Sequence, residues 1–142
     1  MEELLVLALL LYEEIVMEDE YNKRLDELFL ENLDNEDLLY LEGGEIDIKK
    51  AIIYIETHID YNTMDCEKLG KILMDRLNVY YKNCADIESF ADHMYSLWED
   101  LPGYIQDMEP FYTLCYADDP LSWGDEEQTR DIYEKMLNYY TE

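Results

Sequence analysis

A surplus of 26 negative charges is the strongest constraint on this chain: 36 Asp and Glu stand against 10 Lys and Arg in 142 residues. A compact state crowds those charges together, and only a substantial apolar core overcomes the repulsion. The chain has the material for one. Apolar residues make up 49% of it, including 14 Tyr, 3 Phe and 2 Trp, far from the aromatic-poor composition that keeps highly charged chains disordered. Its length fits one domain, residues 1–142, and a domain of that size buries roughly two-thirds of the surface its unfolded chain exposes.

The same field limits the partners. Nucleic acid and anionic membrane surfaces are repelled, because binding phosphate requires Lys and Arg to displace its counterions. Basic proteins are attracted, and complementary charge can speed their association by ~10- to 10³-fold. Solubility alone is the competing account of the acidity. The surplus is steepest at the end of the chain, where residues 97–142 carry 12 acidic and 2 basic side chains.

Hydrophobic periodicity is helical almost throughout. A first helix, about Glu3 to Met17, is apolar on most faces and reads as the central helix of a bundle. A second, about Tyr21 to Leu33, places Leu25, Leu28, Phe29 and Leu33 on one stripe. A short third, Asn35 to Leu41, stops at Gly43 and Gly44. The segment GEIDIKKAIIYIETHID is ambiguous: Ile53, Ile55, Thr57 and Ile59 alternate as in a strand, whereas Ile48, Ile52, Ile55 and Ile59 follow a helical spacing. Helix is the expectation, since no second segment offers a strand to pair with.

A fifth helix from Thr63 or Asp65 carries Cys66, Leu69, Leu73, Leu77 and Tyr80 on one face; Gly70 within it suggests close approach of another helix. Asp86 caps a sixth, with Ile87, Phe90, Ala91, Met94, Leu97, Trp98 and Leu101 as its stripe, ended by an exposed Pro102-Gly103 loop. Pro110 opens a short helix holding Phe111, Leu114 and Cys115. Asp125 and Gln128 have capping-box spacing for the last helix, in which Ile132, Tyr133, Met136, Leu137 and Tyr140 face inward. The fold expected is therefore all-α, a single compact helical bundle of about seven or eight helices, several of them short.

Catalytic patterns were sought and do not assemble, so no enzymatic activity, cofactor or metal is expected. The two histidines, His58 and His93, lack the i, i+4 partner and carboxylate of a helical zinc site, and neither is preceded three residues earlier by Glu as a di-iron bundle would require. Ser89 and His93 can meet across one helical turn, without an oriented base or oxyanion hole nearby. Glycine-rich phosphate loops are absent. Aligning Gly124 with the sixth position of a calcium loop puts Leu121 and Trp123 at ligand positions, so that reading fails. Cys66, Cys84 and Cys115, an odd number with no close pair, suit a reducing cytosol. The apolar run Leu4 to Tyr12 is flanked by Glu on both sides and is too short for a membrane span; a cytoplasmic location is expected.

One stretch points to a partner. In YADDPLSWGDEEQTRD, residues 116–131, Leu121 and Trp123 sit on a Pro120/Gly124 turn among six carboxylates. The turn either folds these two side chains back as a plug or displays them. Displayed, Trp123 with Leu121 and Tyr116 forms an aromatic anchor, and Asp118, Asp119, Asp125, Glu126 and Glu127 form an acidic rim; Tyr104 and Asp107 extend the patch from the preceding loop. Interface hot spots favour Trp and Tyr, and the surrounding charge selects the partner's sign. The reading that follows is a protein-binding inhibitor, in its concrete form an immunity protein neutralising a basic toxin such as a nuclease. The rivals are a nucleic-acid mimic, which needs long unbroken rows of acid, and a carboxylate-dependent helical enzyme or a structural adaptor.

Overall fold

The chain is all-α in a computed structural model, which describes residues 1–43, 47–58 and 63–141. Among these residues there are nine α-helices, one 3-10 turn and no strand. Two units are distinguished, Met1–Met64 and Asp65–Glu142.

In the first unit, α1 (Glu2–Tyr12) is packed by α2 (Glu18–Glu31) and α4 (Ile48–His58), and α3 (Glu36–Glu42) packs on α2. Every residue from Leu4 to Leu10 is buried, and each fully buried Leu contributes roughly 1.5–3 kcal/mol. The helix ends five residues before Met17, which is exposed. Its stop is a Schellman motif without glycine: Glu14 has φ 61°, its N–H donates to the Leu11 carbonyl, and that of Ile15 donates to Leu10. This satisfies the last carbonyls at a steric cost that Gly would avoid. Arg24 Nε then ties α2 to Glu3 of α1 at 2.6 Å.

The ambiguous isoleucine segment is helical over Ile48–His58, with Ile52 and Ile55 buried and Ile53 exposed. Asp47 Oδ1 accepts the Lys50 N–H at its start. Ile59 of the expected stripe and Gly44 of the expected stop lie outside the described residues. The expected stripe of α2 is shorter than drawn, because Leu33 falls beyond its end and is exposed. Tyr54 joins α4 to α3: its hydroxyl donates to Asp37 at 2.8 Å, and its ring stacks on Tyr40 at 4.1 Å and on His58 at 3.9 Å. His58 is thus part of an aromatic stack.

In the second unit, α5 (Cys66–Asn83), α6 (Ile87–Asp100) and α9 (Glu126–Leu137) are the long helices. Asp65, Asp86 and Asp125 cap them, each side chain accepting a backbone N–H of the first turn. The short helices α7 (Gly103–Gln106) and α8 (Thr113–Tyr116) and a 3-10 turn (Asp119–Trp123) lie between α6 and α9. The α8 helix packs on α6 and α9, and α9 also packs on α5 and the 3-10 turn. Phe90 and Tyr133 meet edge to face at 4.9 Å in the core.

Three expectations change here. The Pro102-Gly103 segment is exposed as expected only at Gly103, and it is not a loop, because Pro102 is buried as the N-cap of α7 and Gly103 is that helix's first residue. Trp98 is half-buried, and its Nε1 donates to the Gln106 carbonyl at 2.9 Å while Gln106 Nε2 donates back to the Trp98 carbonyl at 3.0 Å; this reciprocal pair folds α7 onto the end of α6. The short helix after Pro110 begins at Thr113, leaving Phe111 buried in the turn before it.

Candidate partner-binding surface

The turn that carries Trp123 is held from beneath. Pro120 is its buried residue, whereas Leu121 is half-buried and Trp123 is 63% exposed. Of the two arrangements open to this turn, the plug is therefore made by Pro120, and the indole is displayed. Gly124, at φ 80°, reverses the chain; its N–H donates to Leu121 and that of Asp125 donates to Pro120. Only Gly adopts that φ without strain. Ser122 Oγ closes the turn on the Asp119 carbonyl at 2.8 Å. Thr129 of α9, fully buried, donates from Oγ1 to the Ala117 carbonyl at 2.8 Å. The base of the turn is thus fixed to both α8 and α9, which limits the entropy lost if Trp123 is covered.

The carboxylates around it play unequal parts. Asp119, Glu126, Glu127 and Asp107 are exposed. Glu126 is paired with Arg130 at 3.4 Å and Asp131 with Lys135 at 3.0 Å, so the acidic face of α9 is interrupted by its own bases. Asp125 is committed to capping, its Oδ1 accepting from the Gln128 N–H at 3.0 Å. Asp118 is half-buried; desolvation, with Asp119 and Asp92 nearby, raises its pKa. Burial pushes the Cys115 thiol up, and Asp119, Asp118 and Asp107 push it the same way. Asp107 therefore joins the 118–119 pair in one local field. Tyr104 is half-buried and contributes little outward surface.

Tyr116 belongs to a different feature. With Pro110, Thr113, Ile132, Met136 and Tyr139 it lines an apolar slot of about 260 Å³ between α8 and α9. Tyr112 and Tyr139 are exposed, and the Tyr112 and Tyr116 rings lie 5.3 Å apart. Tyr112 falls within the acidic, aromatic stretch that also carries Tyr104 and Asp107, whereas nothing in the sequence singles out Tyr139; its i, i+4 relation to Lys135 is the available signal, but it does not say which face turns outward. Among the described residues, no group of three or more His, Cys, Asp or Glu is placed to hold a metal ion. No described helix is long and apolar enough to cross a membrane. Compared with protein-family models, curated proteins and solved structures, the chain matches none.

Proposed function

We propose that this chain is a protein-binding inhibitor that works in the cytoplasm, in its concrete form an immunity protein that covers the active site or substrate cleft of a basic toxin, most simply a nuclease. It makes and breaks no bond; occlusion and charge complementarity suffice. The observation that carries the reading is the display of Trp123, 63% exposed on a turn whose base is hydrogen-bonded into the fold, beside Asp119 and Glu127. A large rigid aromatic within a charged surround is the composition of an interface hot spot. Long-range acidity then raises the encounter rate with a basic partner and sets its sensitivity to salt.

The nucleic-acid mimic is the weaker reading, because Arg130 and Lys135 break the acidic row of α9 at each turn. The test is to use the purified chain as bait in its native lysate at low and moderate salt. The inhibitor reading expects one basic protein retained in stoichiometric amount, with catalytic activity that the chain abolishes. A mixture of DNA-binding proteins released together by salt refutes it in favour of the mimic.

A further inference from the structure

The apolar slot lies between α8 and α9, the same two helices that hold the base of the Trp123 turn. Ile132, Met136 and Tyr139 line it from α9 and the turn after it, at the i, i+4, i+7 spacing of one helix face. Pro110, Thr113 and Tyr116 line it from α8 and the turn before it. Its polar atoms are matched locally. The Thr113 hydroxyl donates to Glu109 Oε2 at 2.7 Å and lies 3.4 Å from the Tyr116 hydroxyl, and Lys135 Nζ is held by Asp131 at 3.0 Å. Hydrocarbon and ring surface are what remains for an occupant.

Size and lining select an aromatic side chain. The slot measures about 260 Å³, more than the ~150 Å³ at which an apolar cavity admits benzene. Tyr116 and Tyr139 offer ring edges and faces to such a group, and Met136 offers its thioether. The rim selects the charge of the neighbours. Glu109 and Asp131 are exposed and bonded to lining residues, and Glu134 shares an adjoining pocket with Lys135 and Tyr139. Against these three carboxylates stands Lys135, so the rim is net acidic, as is all of 97–142 with its 12 acidic and 2 basic side chains. A segment carrying Lys or Arg is attracted to such a rim, and one carrying carboxylates is repelled.

We propose that the slot takes a phenylalanine-sized aromatic side chain from a Lys- or Arg-flanked segment of a basic protein, as a second anchor beside Trp123. This second anchor rests on the inhibitor reading for the nature of the partner, and the slot itself is testable without that partner. The lining face of α9 runs back through Gln128 toward the Trp123 turn. Ile132 lies about 9 Å along the helix axis from Glu126, at ~1.5 Å per residue, and an interface patch of ~800 Å² is wide enough for both anchors.

The experiment titrates the whole chain with the acetylated and amidated pentapeptide Lys-Lys-Phe-Lys-Lys and follows amide and methyl NMR shifts. Expected are saturable shifts centred on Ile132, Met136 and Tyr139, with a Kd on the order of 1 mM. Affinity falls about fivefold or more when Ser replaces the peptide's Phe, and likewise when Glu replaces its lysines. Ile132→Glu separates the slot from charge alone, because it adds a carboxylate while removing an apolar wall; binding weakens about threefold or more, where charge alone would tighten it. Tyr139→Ser, at an exposed wall, weakens binding in the same way and leaves the core intact; circular dichroism checks both variants. Trp123→Ala leaves pentapeptide binding unchanged. If the slot takes the pentapeptide while Trp123→Ala leaves capture of the basic partner unaltered, the Trp123 anchor alone is refuted; a captured partner without pentapeptide binding refutes the slot alone. Equal affinity for the Phe and Ser peptides or for the acidic peptide, unchanged or tighter binding by Ile132→Glu, shifts centred on Trp123, or no saturation by about 10 mM would overturn the proposal.

Discussion

Gly70 allows one contact to be tested by a change of sign. A Cβ built on Gly70 would lie 2.6 Å from Tyr140 Cζ and 2.8 Å from Cε2, and closer still to the hydroxyl. Gly70→Ala therefore requires the ring to leave. Two effects oppose each other. Ala in a helix interior is favoured over Gly by about 1 kcal/mol. Against this, Tyr140 is half-buried, and uncovering roughly half of a Tyr side chain's ~150–250 Å² at ~25 cal/mol/Å² loses about 2–3 kcal/mol. The net expectation is destabilisation by about 1–2 kcal/mol. In a Tyr140→Ala background the obstacle is gone, and the same substitution should stabilise by about 1 kcal/mol, a coupling of about 2–3 kcal/mol. Urea denaturation of the four proteins, followed by circular dichroism, measures this cycle. The Tyr140 phenol is a second readout: burial chiefly, then Tyr139, Glu67 and Cys66, push it to about 12, and Gly70→Ala should return it toward 10. If Gly70→Ala stabilises equally in both backgrounds, Tyr140 does not rest on α5 and the reasoning fails.

Five further outcomes are expected. Glu14→Gly should stabilise by about 0.5–1 kcal/mol, because Glu14 holds φ 61° where Gly is unstrained; a loss in chemical denaturation would contradict the αL stop. Thr129→Val should destabilise by about 1–3 kcal/mol by leaving the buried Ala117 carbonyl unpaired, whereas Tyr133→Phe should be neutral or stabilise by about 1 kcal/mol, since the buried Tyr133 hydroxyl has no partner among the described residues. Glu42 is raised from 4.5 to about 7, so its contribution is complete below about pH 4.5 and is lost as pH rises through 7; discounted for solvent screening it amounts to about 1 kcal/mol. Glu42→Gln should flatten that part of the stability-against-pH curve, and parallel curves for the two proteins would mean that the surroundings of Glu42 do not favour its protonated form. Melting temperature should rise from low to moderate monovalent salt through screening of the surplus charge; no change would mean local compensation of the carboxylates.

Local chemistry made much of the fold readable. Asp86 and Asp125 announce helix starts because a carboxylate accepts first-turn N–H groups that no helix satisfies internally, and both are caps in the structure. The buried run Leu4 to Leu10 in α1 follows from the unbroken apolar stretch Leu4 to Tyr12. Its end does not, because glycine is the usual mark of an αL stop and Glu14 occupies the position. Helix α7 was hidden for a similar reason: four residues carry no periodicity, and Pro102-Gly103 reads as a loop unless the Trp98–Gln106 pair is known. Gly70 signals close approach without naming what approaches, and the neighbour is the Tyr140 ring, from the turn that follows α9.

The site was legible in composition and not in orientation. Pro120, Leu121 and Trp123 are alternatives for the inward position of one turn, and packing puts Pro120 there. Among the carboxylates, Asp125 is a cap and Glu126 an ion-pair partner, roles that reduce what they offer to a ligand. The nearness of Asp26 to Glu42 was invisible, because residues sixteen apart come together only once α2 and α3 fold onto each other.

The most direct test of the central claim is the affinity of the captured basic partner for the intact chain and for Trp123→Ala. With the indole 63% exposed, its removal should alter stability by less than about 0.5 kcal/mol. Binding should weaken by about 30-fold or more, equivalent to at least about 2 kcal/mol. Equal affinity for the two proteins, with folding intact, would contradict the anchor and with it the inhibitor surface built around Trp123.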